Sequence, residues 1–360
     1  MSKYYIGIMC GTSLDSIDIS IAHITGKRIS VKFFDEYKLD LVLKDMINDV
    51  KKNSHSSNNL KKVDSSVTLL MIKLINQSIL KHKLNIKDIN AIGFAGITLN
   101  HRPDLKTSTF LGDPILLSKK LKIAVISDFR QTDIDAGGQG APLAGLFHNY
   151  LNKIIKKNIS YLNLGGFANI TVTHQDRIIS YDTGPANYLI DLWCDKYFDM
   201  EYDIDGRLAS MGNINVDLLK SMLKEKYFKK KYPKNTGFEL FNESWVCEHL
   251  KKVPKINDLD VLATLTYLTV ISVSNELKKF KHNKCKLFIY GGGSFNKILT
   301  NGILDLSGIK QTQDLNNIVN EKNLEATAFA WLAYMRQQEM EVTNMNSAKS
   351  KKSYLLGNIY

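Results

Sequence analysis

The sequence predicts an α/β fold of two similar domains, and three observations point to it. At roughly 100–200 residues per domain, the 360 residues suffice for two hydrophobic cores. Short alternating runs that suit strands are interspersed with longer stretches of helical periodicity. The order of three strands followed by helices and further strands begins near residue 4 and begins again near residue 160, which implies two similar domains facing each other across a cleft, the usual place for a ligand.

In chain order, residues 4–9 alternate as a strand, Cys10-Gly11-Thr12-Ser13 is a turn, and 17–24 and 28–34 are two more strands around Thr25-Gly26-Lys27. Helices are predicted over 41–52 and 64–83, the second with Val67, Leu70, Met71, Leu74, Ile75 and Ile79 at helical spacing and Asp64 or Ser65 as N-cap. Strands follow at 91–95 and 123–127. The second round has strands at 161–164, 169–174 and 177–181, helices at 187–198, 215–228 and 258–280, a strand at 286–290, and helices at 295–301 and 325–338.

Composition excludes several classes. With 44% hydrophobic and 23% charged residues the chain is too apolar to be disordered. Lys+Arg exceeds Asp+Glu by 48 to 36, a net +12, but the lysines are dispersed in pairs along the whole chain and read as solvated surface, so no nucleic-acid partner is expected. The longest apolar stretch, 261–277, is interrupted by Thr264, Thr266, Thr269, Ser272, Ser274 and Asn275 and reads as a buried core helix, so no membrane partner is expected. No secretory signal opens the chain, and Cys10, Cys194, Cys247 and Cys285 lie far apart without a CxxC pair, which suits a cytoplasmic protein.

Three glycine-rich turns fall at predicted strand ends: Gly11-Thr12-Ser13 with Asp15 and Asp18, Asp182-Thr183-Gly184-Pro185, and Gly291-Gly292-Gly293 before Ser294-Phe295-Asn296. Glycine lets a backbone approach phosphate closely and aim its N–H groups there. None is a Walker A loop or GxGxxG, and each alone is most simply a turn. Three together, two with an aspartate, point to a nucleotide site with Mg²⁺ and a catalytic carboxylate.

This arrangement resembles the actin/hexokinase type of ATPase domain. The segments 7–18, 101–103, 128–130, Gly137-Gly138-Gln139-Gly140-Ala141-Pro142-Leu143, Asn163-Leu164-Gly165-Gly166-Phe167-Ala168-Asn169-Ile170, 182–187, Lys234-Asn235-Thr236-Gly237 and 291–296 are, more narrowly, similar to those of the anhydro-N-acetylmuramic acid kinases, in order along nearly the whole chain. The resemblance implies two ribonuclease H-like (actin/hexokinase-type) domains flanking a nucleotide cleft. It divides the chain into an N-terminal lobe, 1–135 plus 339–360, with the sugar contacts, and a C-terminal lobe, 136–338, with the catalytic aspartate and adenosine site. It implies ATP-dependent opening of the 1,6-anhydro ring of 1,6-anhydro-N-acetylmuramic acid with phosphorylation of O6, in cell-wall recycling, and a homodimer.

By the same resemblance, Asp182 is the base that orients and deprotonates water. The ATP phosphates fall to Gly11, Thr12, Ser13, Leu14, Asp15, Ser16, Ile17 and Asp18, with Asp15 or Asp18 meeting Mg²⁺ through water, and Gly184, Gly291, Gly292, Gly293 and Asn296 complete the nucleotide site. Arg130, Asp133, His101 and Glu325 are expected on the sugar. A fork-shaped contact from Arg130 suits the lactyl carboxylate, and a structural salt bridge is its other reading. Glu325 also suits a helix N-terminus.

The chain departs from the family where His-Gly-Gln-Thr is usual and Ala95-Gly96-Ile97-Thr98 stands instead, and where Phe110-Leu111-Gly112 replaces Gln-Ile-Gly. Lost polar partners reduce discrimination for a polar substrate. A non-catalytic or specificity-shifted nucleotide- or sugar-binding relative is therefore the alternative to an active kinase.

Overall fold

Alternation lays down the first strands, and the rest of each sheet is assembled around them. The structure is a computed structural model, which describes residues 4–11, 14–52, 57–174, 177–280, 286–343 and 353–360. Thr12, Ser13 and Cys285 lie outside the described residues.

The chain forms two compact units, Met1–Ile154 with Leu315–Tyr360, and Ile155–Asp314. In the first, Tyr4–Cys10, Ser16–Thr25 and Arg28–Lys38 form an antiparallel meander, and Ile89–Phe94 and Ala124–Ser127 extend it in parallel on the other side of the first strand. The short strand Asn358–Ile359 closes that edge, antiparallel to Ala124–Ser127. In the second, Ile159–Leu164, Phe167–His174 and Arg177–Pro185 form the meander, and Lys286–Tyr290 and Lys310–Gln311 extend it in parallel. Each unit thus runs 3-2-1-4-5 with its second strand reversed, the ribonuclease H-like topology, so the expected duplication is present.

One face of the first sheet carries a row of small residues. Gly7 pairs with Ser20 on one side and Gly93 on the other. Over this row lies the helix Leu324–Gln337. A Cβ at Gly7 would stand 1.8 Å from the Ala326 carbonyl oxygen, and one at Gly93 would stand 2.0 Å from that of Phe329. The hydroxyls of Ser20 and Thr327 bond at 2.7 Å. The opposite face is covered by Ser57–Lys81, whose Val67, Met71, Ile75 and Ile79 join Ile6, Ile8, Ile17 and Ile92 in the core.

Several expected boundaries are corrected. The last helix was placed with the C-terminal lobe, whereas the glycine row binds it to the first unit. The units accordingly break at 154/155 and 314/315, in place of 135/136 and 338/339. The helix expected from 64 starts at Ser57, so Asp64 and Ser65 lie inside it. Asp64 Oδ1 accepts from the Gly112 N–H at 2.7 Å, and Thr68 accepts from the Asp113 N–H. The helix expected over 215–228 is interrupted after Leu223, because Glu225 turns extended and caps Lys226–Lys229. The helix expected at 295 begins at Lys297 and runs to Ser307. The hairpin Ile97–Arg102/Thr107–Leu111 and the helices Phe129–Asp135 and Ala144–Ile155 were not read from sequence. Asp258–Lys278 is the buried core helix expected there, and among the described residues no helix is long and apolar enough to cross a membrane.

Candidate active site

In the first unit the turn after Tyr4–Cys10 is closed by the Leu14 N–H donating to Gly11 O at 3.1 Å, with the Leu14 side chain buried in the core at positive φ. Asp15 is exposed and paired with Lys44 at 2.7 Å. Asp18, on the following strand, accepts from the Ser16 hydroxyl at 2.9 Å, and burial pushes its carboxyl up to about 6. Burial, then the charge of Asp18, pushes Glu325 up to about 7 against the opposing pull of Arg130. Asp18, Glu325 and Arg130 therefore share one electrostatic neighbourhood, brought together by a strand, the helix over the glycine row and the helix Phe129–Asp135.

That last helix also carries Asp133. Arg130 Nη1 donates to Gly140 O at 2.9 Å, and the Gly140 N–H donates to Asp133 Oδ2 at 2.6 Å. Tyr354 donates to Asp133 Oδ1. Both oxygens of Asp133 are thus engaged by the protein, and it acts on the 137–140 loop. His101 Nδ1 bonds the Ser108 hydroxyl at 3.1 Å, and burial with the nearby Arg130 charge holds its ring down to about 4, neutral near pH 7. The structure thus gathers His101, Arg130, Asp133 and Glu325 in one region of this unit. His148 is buried, and burial holds its ring down to about 3, neutral near pH 7.

In the second unit Asp182 sits where the ladder between Arg177–Pro185 and Phe167–His174 slips, between Asp182 and Gly184. Its Oδ2 accepts from the Thr236 N–H at 3.1 Å. The glycine turn at 291 stacks on the turn after Ile159–Leu164. Gly291 has φ +84, and a Cβ there would stand 2.3 Å from Asn163 Oδ1. Asn187, the first residue of the helix Asn187–Phe198, donates from Nδ2 to Leu164 O at 3.0 Å and lies beside Gly293. Gly291 and Gly293 thus lie against the turn after Ile159–Leu164 and the start of the helix Asn187–Phe198, whereas Gly184 packs beside Phe228 and Ser272. Asn296 is buried, and its Oδ1 caps Lys297–Ser307 by accepting from Ile298 and Leu299.

The family model described as anhydro-N-acetylmuramic acid kinase matches residues 3–360. The chain belongs to this family. A relative of that name from Sulfurovum sp. (strain NBC37-1) is 38% identical, covering 99% of this chain and 98% of its own. Another, from Sulfurimonas denitrificans, is 37% identical and covers both chains in full. A third, from Pasteurella multocida, is 34% identical over all of this chain and 97% of its own.

Family membership bears on the three departures. Ile97 is buried in the core, and Phe110 packs against that core and edge-on to Phe94 at 6.1 Å. Ile97 thus belongs to the core of the first unit and Phe110 lies half-buried at its edge. Among the described residues no three His, Cys, Asp or Glu side chains converge to hold a metal, and Asp15 is drawn toward Lys44. What sequence reading missed is Glu276: inside an apolar helix near its C-terminus it looks like a solvated residue, yet it is buried and bonded to Lys234 at 2.7 Å and to Tyr181, the neighbour of Asp182, at 2.8 Å.

Proposed function

We propose that this chain is an ATP-dependent kinase that opens the 1,6-anhydro ring of 1,6-anhydro-N-acetylmuramic acid by hydrolysis and phosphorylates O6, giving N-acetylmuramic acid 6-phosphate in the cytoplasm. The observation that carries the reading is membership of a family named for this kinase over residues 3–360. The position of Asp182, a carboxylate at a strand slip beside a glycine turn, supports it.

In the proposed reaction a water oxygen bonds to C1 and gives its proton to Asp182. The C1–O6 bond breaks with its electron pair left on O6, O6 takes the γ-phosphoryl group, and ADP leaves. A carboxylate within reach of that water is the group that can take its proton. Gly11 to Asp18, Gly184 and Gly291 to Gly293 would meet the nucleotide through backbone N–H groups. Asn296 would support the Gly291–Gly293 turn as a cap. Mg²⁺ would be held chiefly by phosphate oxygens and reach Asp18 through water, since among the described residues the acidic side chains form no cage of their own. When bound, it would neutralise developing phosphate charge.

On the sugar, Arg130 would take the lactyl carboxylate, and Glu325, whose raised pKa leaves it partly protonated near pH 7, could accept or donate to a hydroxyl. His101, neutral, would offer a ring nitrogen. Asp133 would serve by shaping the 137–140 loop.

The test is product analysis by mass spectrometry after incubation with ATP, Mg²⁺, ¹⁸O-water and the anhydro sugar. Label at C1 together with a 6-phosphate is expected, with Asp182→Asn slower by at least 10³-fold. A phosphorylated product without label, or none from the parent chain, would overturn the reading.

A further inference from the structure

The ladder that carries Asp182 pairs it with Asn169 and then slips in register before Gly184. Three further hydrogen bonds from outside the ladder also hold Asp182. The Asp182 N–H donates to Lys234 O at 3.1 Å, Tyr227 Oη donates to Asp182 O at 2.7 Å, and the Thr236 N–H donates to the carboxylate. All three partners lie in 227–236, a stretch with no helix or strand beyond Lys229. Irregular backbone of this kind is held only as well as its anchors.

Its anchor is an ion pair. Lys234 and Glu276 are 6% and 4% exposed, and Lys234 Nζ donates to Glu276 Oε1 at 2.7 Å while lying 4.8 Å from the centre of the Tyr227 ring. Glu276 Oε2 accepts from Tyr181 at 2.8 Å and from Lys279 at 2.6 Å. Tyr181 is the residue before Asp182, so one carboxylate ties down both the strand that delivers the base and the segment that bonds it. Burial raises the Glu276 carboxyl, but the donors Lys234 and Lys279 outweigh burial and keep it below the ordinary value, ionised.

Stability alone does not call for this pair. Apolar residues of similar volume in place of a buried ion pair are often neutral or stabilising. They cannot, however, direct two ends of one carboxylate at two separate backbone segments.

We propose that Lys234 and Glu276 are positioning residues whose pairing fixes the Asp182 carboxylate for attack, acting through Tyr181 and the 227–236 segment. The proposal rests on the assignment of Asp182 as the base. The double variant Lys234→Met/Glu276→Leu removes both charges and leaves neither unpaired. Because the buried Tyr181 hydroxyl also loses its acceptor, the variant is expected to lower the urea midpoint modestly while staying folded, to keep the parental KM for ATP, to lose at least 30-fold in kcat, and to lose at least tenfold in hydrogen-exchange protection at the Asp182 and Thr236 amides. Lys234→Arg, which keeps the charge but displaces it, is expected to show the same kcat loss in smaller measure and serves if the double variant does not fold. Parental kcat in either folded variant, or undiminished amide protection, would overturn the proposal. Exchange protection is read without turnover, so a failure of the assignment of function, seen as an inactive parent chain, is distinguishable from a failure of positioning.

Discussion

Adding one methyl group at Gly7 tests how the last helix is held. An alanine Cβ there would lie 1.8 Å from Ala326 O and 2.5 Å from Ala330 N, both backbone atoms of Leu324–Gln337. A carbon–oxygen approach is ordinarily about 3.3 Å or more, so the helix must withdraw by about 1.5 Å at this point. Overpacking a well-filled interior costs roughly 1–3 kcal/mol. Loss of the hydroxyl pair between Ser20 and Thr327, at 2.7 Å, adds about 1 kcal/mol. Gly7→Ala is therefore expected to lose roughly 2–4 kcal/mol in urea unfolding followed by circular dichroism, a large part of the 5–15 kcal/mol typical of a domain. Glu325 adjoins Ala326, and displacement of about 1 Å near a site can cost about 10²-fold, so kcat/KM for the anhydro sugar should fall on that scale in a coupled ADP assay. Gly26→Ala is the control: its φ is +53 with open space around it, which leaves only backbone strain of about 1 kcal/mol. A Gly7→Ala protein within 1 kcal/mol of the parent would refute the close approach.

Glu325 carries a pH signature. Its folded pKa of about 7 exceeds the ordinary 4.5, so the native state binds the proton more tightly, and stability falls as pH rises from about 4.5 through 7. At 1.36 kcal/mol per unit the cost above pH 7 is at most about 3 kcal/mol. Glu325→Gln should therefore be the more stable protein in urea at pH 8 and equal to the parent near pH 4.5; a pH-independent difference would contradict the assigned burial. The C-terminal residues brace the Arg130 helix at both ends, through Tyr360 with Asn358 on Asp128 and Tyr354 on Asp133. Tyr354→Phe/Tyr360→Phe should raise KM for the sugar about tenfold and leave KM for ATP unchanged, and a parental sugar KM would show that the brace is dispensable.

Much of the fold was legible because strand alternation is local. The three-strand openings at 4 and 160, and the core helix over 258–280, needed only neighbouring residues. The placement of 324–337 was not local: chain adjacency suggested the C-terminal lobe, whereas Gly7 and Gly93, more than 200 residues away, decide it. Glycines in the middle of two apolar strands were the available signal, since they mark the close approach of another backbone. The strand-end glycines at 11, 184 and 291 were visible in the sequence itself, whereas His101, Arg130, Asp133 and Glu325 stood out only through the family resemblance. The engagement of Asp133 by Tyr354 and of Lys234 by Glu276 was legible in neither, because each pairs groups far apart in sequence whose burial no local pattern reveals.

The glycine row also bears on the order in which the molecule is made. The second unit, Ile155–Asp314, is one continuous stretch, so all of its strands leave the ribosome before the chain is finished. The first unit is split around it, and the apolar row of Gly7 and Gly93 has no cover until Leu324–Gln337 is synthesised. Domains generally fold as units as they emerge, N-terminal first. Here the N-terminal unit begins first and is completed last, after the inserted unit has been made.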